Sequence, residues 1–217
     1  MTTAAVFALF CATAAAQQND WMIVPGQRLG PITAQTTRAN LTLLFGEGNL
    51  KDRDFDTGEG FFQPATIVIA KDPSASLAIL WGDQRIDTVN VCFERLFGLC
   101  KWHTRDGVGF GTGLLKLEAL NGRSFVLNDW GSDVGGIVTS WEGGKLEREF
   151  GDRRDRLLVL TMDFSTNPSY TSQQKQASRE IRRLHRDPRS SDPAMRKLHP
   201  VVTRIWFRFP PAAAAIP

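Results

Sequence analysis

Gly30-Pro31-Ile32-Thr33-Ala34-Gln35-Thr36-Thr37-Arg38-Ala39-Asn40-Leu41-Thr42-Leu43-Leu44-Phe45-Gly46 reads as an apolar entry, a threonine cap, a leucine-rich turn of helix and a stopping glycine. The same plan returns in Gly107-Val108, Thr112, Leu117, Leu120 and Gly122. The match keeps one offset of 76 residues (36 to 112, 41 to 117, 44 to 120, 46 to 122), with Ile32 over Val108. Self-similarity at a fixed spacing is the signature of a duplicated supersecondary unit, with chance recurrence as the competing reading for only two copies. Each helix is too short to stand alone and must pack on a sheet. The expectation is an α+β protein with antiparallel sheets. Its two related helix-plus-sheet units, residues 17–100 and 101–164, stand in tandem and are followed by a C-terminal edge strand.

Around these helices the chain alternates strand-like and turn-like sequence. Trp21-Met22-Ile23-Val24 is a short strand stopped by Pro25-Gly26. Thr36 or Thr37 caps the first helix, and Asp52 to Gly60 reads as a polar loop. Thr66–Ala70 and Leu77–Trp81 are apolar on both faces, as covered central strands are. Ile86–Phe93, Leu99–Thr104, Ser124–Leu127 and Arg156–Met162 are further strands. Gly136–Trp141 and Lys145-Leu146-Glu147 predict a hairpin across Glu142-Gly143-Gly144. Residues 165–199 change character: a polar stretch leads into an arginine-rich one, with Ala177, Ile181 and Leu184 at helical spacing. Val201 to Phe209, in the C-terminal segment 200–217, then alternates. Val201, Thr203, Ile205, Phe207 and Phe209 share one face, and Arg204, Trp206 and Arg208 the other.

Residues 2–16 carry no charge; Val6 to Cys11 is apolar and Ala14-Ala15-Ala16 precedes Gln17. This reads as a signal peptide over residues 1–16, although no Lys or Arg follows Met1; a buried helix is the competing reading. The stretch is shorter than the ~20 residues a membrane span needs. Phe10 before Cys11 is too large for a lipoprotein signal. Cys92 and Cys100 then remain as a pair, which in an oxidising compartment reads as a disulfide, with two free buried thiols as the alternative. The expected location is therefore the periplasm or the exterior. A net charge of +3, with 42% hydrophobic and 23% charged residues, is ordinary for a folded domain and does not point to nucleic acid.

Few residues suggest chemistry. Asp52, Asp54 and Asp56 alternate as in a Ca²⁺ loop, but Thr57 and Gln63 stand where such a loop needs Gly and Glu, so a solvated acidic loop is the better reading. No cofactor is expected. Arg179, Arg182, Arg183, Arg186 and Arg189 form a basic cluster that could meet an anionic surface, diluted by Glu180 and Asp187. Six tryptophans are present, five of them flanking strands or turns; Trp130, in a Gly- and Asp-rich loop, is the candidate for an exposed aromatic. Asp129 and Asp133 beside it could serve as an acid–base pair, as many loop carboxylates could. No Gly-x-Ser-x-Gly elbow and no His-Glu-x-x-His occurs, and His103, His185 and His199 lack evident partners.

The short repeats, each with a Gly- and Thr-containing helix start, a Leu-rich helix and a stopping Gly, run from Leu29 to Gly46 and from Gly107 to Gly122. They resemble two related bacterial groups: the β-lactamase-inhibitory-protein-like fold and the small outer-membrane assembly lipoproteins of the SmpA/OmlA type. The resemblance covers about half of the chain after residue 16. It implies a protein that works by binding another envelope or extracellular protein rather than by catalysis. The alternatives are a carbohydrate- or ligand-binding module using Trp130, and a hydrolase using loop carboxylates.

Overall fold

A computed structural model describes residues 20–58, 60–69, 73–83, 85–93, 100–130, 135–152, 155–163, 171–184 and 186–210. Residues 1–16 and Asp133 lie outside them. The described chain runs β1 (Met22–Val24), β2 (Arg28–Leu29), β3 (Ile32–Thr33), α1 (Arg38–Phe45), β4 (Leu50–Gly58), β5 (Phe61–Val68), β6 (Leu77–Gly82) and β7 (Arg85–Val91). It continues with β8 (His103–Thr104), α2 (Leu114–Asn121), β9 (Val126–Leu127), β10 (Val138–Ser140), α3 (Lys145–Phe150), β11 (Leu158–Asp163), α4 (Ser172–Arg182), α5 (Pro193–Leu198) and β12 (Val201–Arg208). The fold is α+β. Its main element is a six-stranded antiparallel sheet in the order β11-β12-β7-β6-β5-β4.

The repeated stretches adopt matched local geometry. In each, a buried threonine hydroxyl accepts the backbone N–H three residues earlier: Thr36 from Thr33 and Thr112 from Gly109, both at 2.9 Å. Eight helical residues follow at the same offset, with Leu41 and Leu117 fully buried. Gly46 and Gly122 then turn the chain at φ 80° and 77°, a region that favours glycine. The sheets, however, do not divide along the chain. The four-stranded sheet β3-β2-β1-β8 joins the two stretches through a parallel β1–β8 pair. The six-stranded sheet takes β4 to β7 from the expected first unit, β11 from the second and β12 from beyond both.

Three expectations need correction. The C-terminal strand β12 is not at an edge: it lies between β11 and β7, with Trp206 opposite Val159 on one side and Asn90 on the other. Asp52 to Gly58 is not a loop but part of β4, which is the sheet's edge and therefore carries charges on both faces. Lys145–Glu147 does not return as a strand. After the turn at Glu142 and Gly143, Lys145–Phe150 coils into α3, because Leu146 and Phe150, four apart, both bury in the core.

One face of the large sheet, formed by Val68, Leu77, Ile79, Val89, Val91, Leu158, Leu160, Met162, Ile205 and Phe207, joins the main core with Leu114, Leu117, Phe125, Trp141, Phe150, Ile181 and Met195. Each such side chain contributes ~1.5–3 kcal/mol by leaving water. The opposite face is unequal along its width. Over β5 and β6 it is apolar, with Ala65, Ile67, Ala78 and Leu80 covered by Phe55, Phe93 and Trp206. Over β7, β12 and β11 it is polar.

Candidate functional site

The polar half of that second face is the floor of a cleft of about 660 Å³. Strand alternation places its side chains. Arg204, Trp206 and Arg208 project in a column along β12, with Thr161 opposite Arg204, Val159 and Asn90 opposite Trp206, and Thr88 opposite Arg208. Residues two apart on a strand stand ~7 Å from one another, so the two guanidinium stems bracket the indole. The walls come from elsewhere: Thr57 and Gln63 from the β4–β5 ribbon, Trp130, Gly135 and Ile137 from the segment before β10, Arg156 before β11, and Arg182 from the end of α4.

The ribbon curls over the face because Phe55 packs edge-on against Trp206 (centroids 6.5 Å apart) and Phe93 (5.8 Å). Gln63 fixes its inner strand, donating to the Trp81 carbonyl at 3.2 Å. The opposite wall is held by Gly136, whose N–H bonds to Asn128 and whose carbonyl accepts from Met162. A side chain at Gly136, which sits at φ 83°, would collide with the Met162 carbonyl and press on the Trp130 ring. A second cavity of about 310 Å³ adjoins the first and shares Thr57, Thr203, Arg204 and Trp206 with it. It is lined further by Phe55, Val91, Phe93 and Phe110.

Among the described residues, charge in the cleft is unbalanced. Four arginines (156, 182, 204 and 208) face two carboxylates, Asp87 and Asp163. Asp87 accepts from the Thr88 hydroxyl at 3.1 Å. Arg182 and Arg208 are exposed and make no side-chain hydrogen bond or ion pair with another described residue. The Thr203 hydroxyl, on the floor, donates to the Thr161 carbonyl at 3.3 Å. Binding by guanidinium forks, hydroxyl acceptors and an indole edge is what this lining can offer chemically.

The residues singled out from sequence are dispersed. Trp130 lines the cleft and is half-buried rather than fully exposed. Asp129 neighbours it, and its N–H donates to Asp187 at 3.1 Å. Asp133 lies outside the described residues. Of the arginine cluster, only Arg182 reaches the cleft; Arg179 and Arg183 are exposed elsewhere on or beside α4, and Arg186 pairs with Asp192 at 3.1 Å. Asp52, Asp54 and Asp56 share one face of β4. Asp52 is held by Arg38 at 3.0 Å and by the Thr66 hydroxyl at 2.6 Å. Arg38 also grips Glu47, and that hydrogen bond holds the Glu47 carboxyl below its ordinary range. Among the described residues no group of three or more His, Cys, Asp or Glu could hold a metal ion.

Cys92 and Cys100 are joined by a disulfide, their Cα atoms 6.0 Å apart. No helix among the described residues is long and apolar enough to cross a membrane. Trp206, Arg204, Arg208 and Arg156 were not singled out as site residues. The alternation of 201–209 marks the polar face of β12 but not what covers it. No family profile, curated protein or solved structure matches this chain.

Proposed function

We propose that the protein is an exported, non-enzymatic binding protein whose recognition site is the cleft on the second face of the six-stranded sheet. The observation that carries this reading is the Arg204–Trp206–Arg208 column at the floor of a cleft walled by Trp130 and Arg182. Such a lining combines aromatic side chains with polar groups, the usual composition of a small-ligand site, and its volume lies within the ~300–1,000 Å³ such sites occupy. A ring-bearing polar ligand of the carbohydrate class suits it. The disulfide supports export, since such bridges persist in oxidising compartments. Tryptophan fluorescence titrated with cell-wall saccharides tests the reading: a saturable change that is lost in Trp206→Phe supports it, and no saturable change with any saccharide refutes it.

A second reading is docking of another envelope protein, which the repeat resemblance implies. The β4–β5 ribbon favours it. Residues 61–64 of β5 pair with β4 alone, and at the tip Phe61 and Phe62 are 69% and 65% exposed. Paired exposed aromatics on a projecting ribbon are what an interface anchor requires.

A further inference from the structure

The cleft's charge narrows the ligand class further. We infer that the cleft takes an acidic saccharide, whose carboxylates meet Arg182 and Arg208 while a ring lies along Trp206. This rests on the cleft being the recognition site. The argument has three parts. Arg182 and Arg208 come from different elements, α4 and β12, yet line one cavity, and neither is neutralised by a described carboxylate. Two guanidinium groups that line one cavity with no described carboxylate beside them leave positive charge there for an anionic ligand to meet. A guanidinium fork matches a carboxylate in geometry as well as in charge.

The remaining lining argues for a sugar rather than a bare anion. Asp87, Gln63, Thr57 and Thr88 offer acceptors and donors of the kind that hydroxyl groups need. Two carboxylates in the lining would weaken a site built for a small inorganic anion, whereas a polyhydroxylated ligand can donate to Asp87 while its own acid meets the arginines. The largely apolar indole of Trp206 stands between the two arginines of its strand and lines the cleft. A sugar ring, apolar on its C–H face and polar at its rim, fits that sequence of surfaces.

The test is calorimetric titration of the full chain with an oligouronate and with its fully methyl-esterified form, which keeps the rings and loses the charge. Arg182→Gln and Arg208→Gln, both at exposed positions, are measured alongside. The inference predicts that the acid binds at least about tenfold tighter than the ester, and that each substitution weakens the acid about tenfold while leaving the ester unchanged. Raised salt should weaken the acid alone. Equal binding of acid and ester would overturn this inference and leave the cleft as a neutral saccharide site. Failure of both to bind would overturn the site as well. Displacement of the acid by inorganic phosphate at equal concentration would show an anion site without sugar recognition and would also overturn it.

Discussion

Asn121 shows how much one buried side chain can organise. It closes α2, and its Oδ1 accepts the Leu146 N–H at 3.2 Å, capping α3 from 25 residues away. Its Nδ2 donates to the carbonyls of Trp141 at 2.9 Å and Arg123 at 3.1 Å. Gly144 passes so close that a side chain there would overlap the amide. Asn121→Ala takes this partner from the Leu146 N–H and the Arg123 carbonyl, while the Trp141 carbonyl keeps the Gly144 N–H, and is expected to cost ~2–3 kcal/mol in urea unfolding. A loss under ~0.5 kcal/mol would show that the cap is dispensable. Nothing in the sequence near Lys145 announces this cap, which is why that stretch reads as a strand. The cap of α1 was legible, Thr37 accepting from the Asn40 N–H at 3.2 Å, but Thr112 does not cap α2: Gly113 stands at the cap position and the Thr112 hydroxyl accepts the Gly109 N–H instead.

Asp20 gives a pH prediction at the same scale. Arg28 donates two hydrogen bonds to its carboxylate, at 3.0 and 2.7 Å, and these hold its pKa at about 2. A carboxyl lowered on folding stabilises above its unfolded pKa, ~3.9, and that contribution is lost as pH falls from about 4 through 2. Because the pair is partly exposed, the contribution is below ~1 kcal/mol. Carboxyl-carbon NMR should place the Asp20 midpoint near 2; a midpoint near 4 would mean that the pair does not form in solution.

At the scale of elements, β12 and β4 are the two instructive strands. The faces of β12 were legible from residue 204 on, where Ile205 and Phe207, buried in the core, alternate with Arg204, Trp206 and Arg208; before it a bulge opposite Thr161 and Met162 puts Val202 in the core and Thr203 on the cleft floor, against the expected alternation. Its position was not legible, because the strands it pairs with come from residues 85–91 and 158–163, and pairing partners leave no mark on a single strand's pattern. β4 misled for the opposite reason: an edge strand with little core to face carries charges that read as a loop. Hydrogen exchange distinguishes the two. Amides of residues 204–207, hydrogen-bonded within a strand flanked on both sides, should exchange far more slowly than those of 52–57. Equal rates would contradict the interior placement of β12.

For the whole molecule, the disulfide ties the end of β7 to the stretch that enters β8, and so links the six-stranded sheet to the four-stranded one. Trp102 reinforces the junction, its indole N–H donating to the Ala75 carbonyl at 3.3 Å. A loop of this length predicts a loss of ~2.5 kcal/mol when Cys92 and Cys100 are both replaced by Ser, read as a lowered urea midpoint. An unchanged midpoint would show that packing alone holds the sheets together.

The global arrangement also explains why the site was only partly legible. Trp130 and Arg182 stood out as an exposed loop aromatic and a member of a basic run. What makes them a site is a sheet face assembled from β7, β11 and β12, and only the fold brings those strands together. The most direct test of that face as the recognition surface is to follow the tryptophan indole N–H resonances while an oligouronate is added. The account predicts that the Trp130 and Trp206 signals move saturably, while those of the buried Trp102 and Trp141 stay fixed. Saturable shifts confined to other indoles would contradict it.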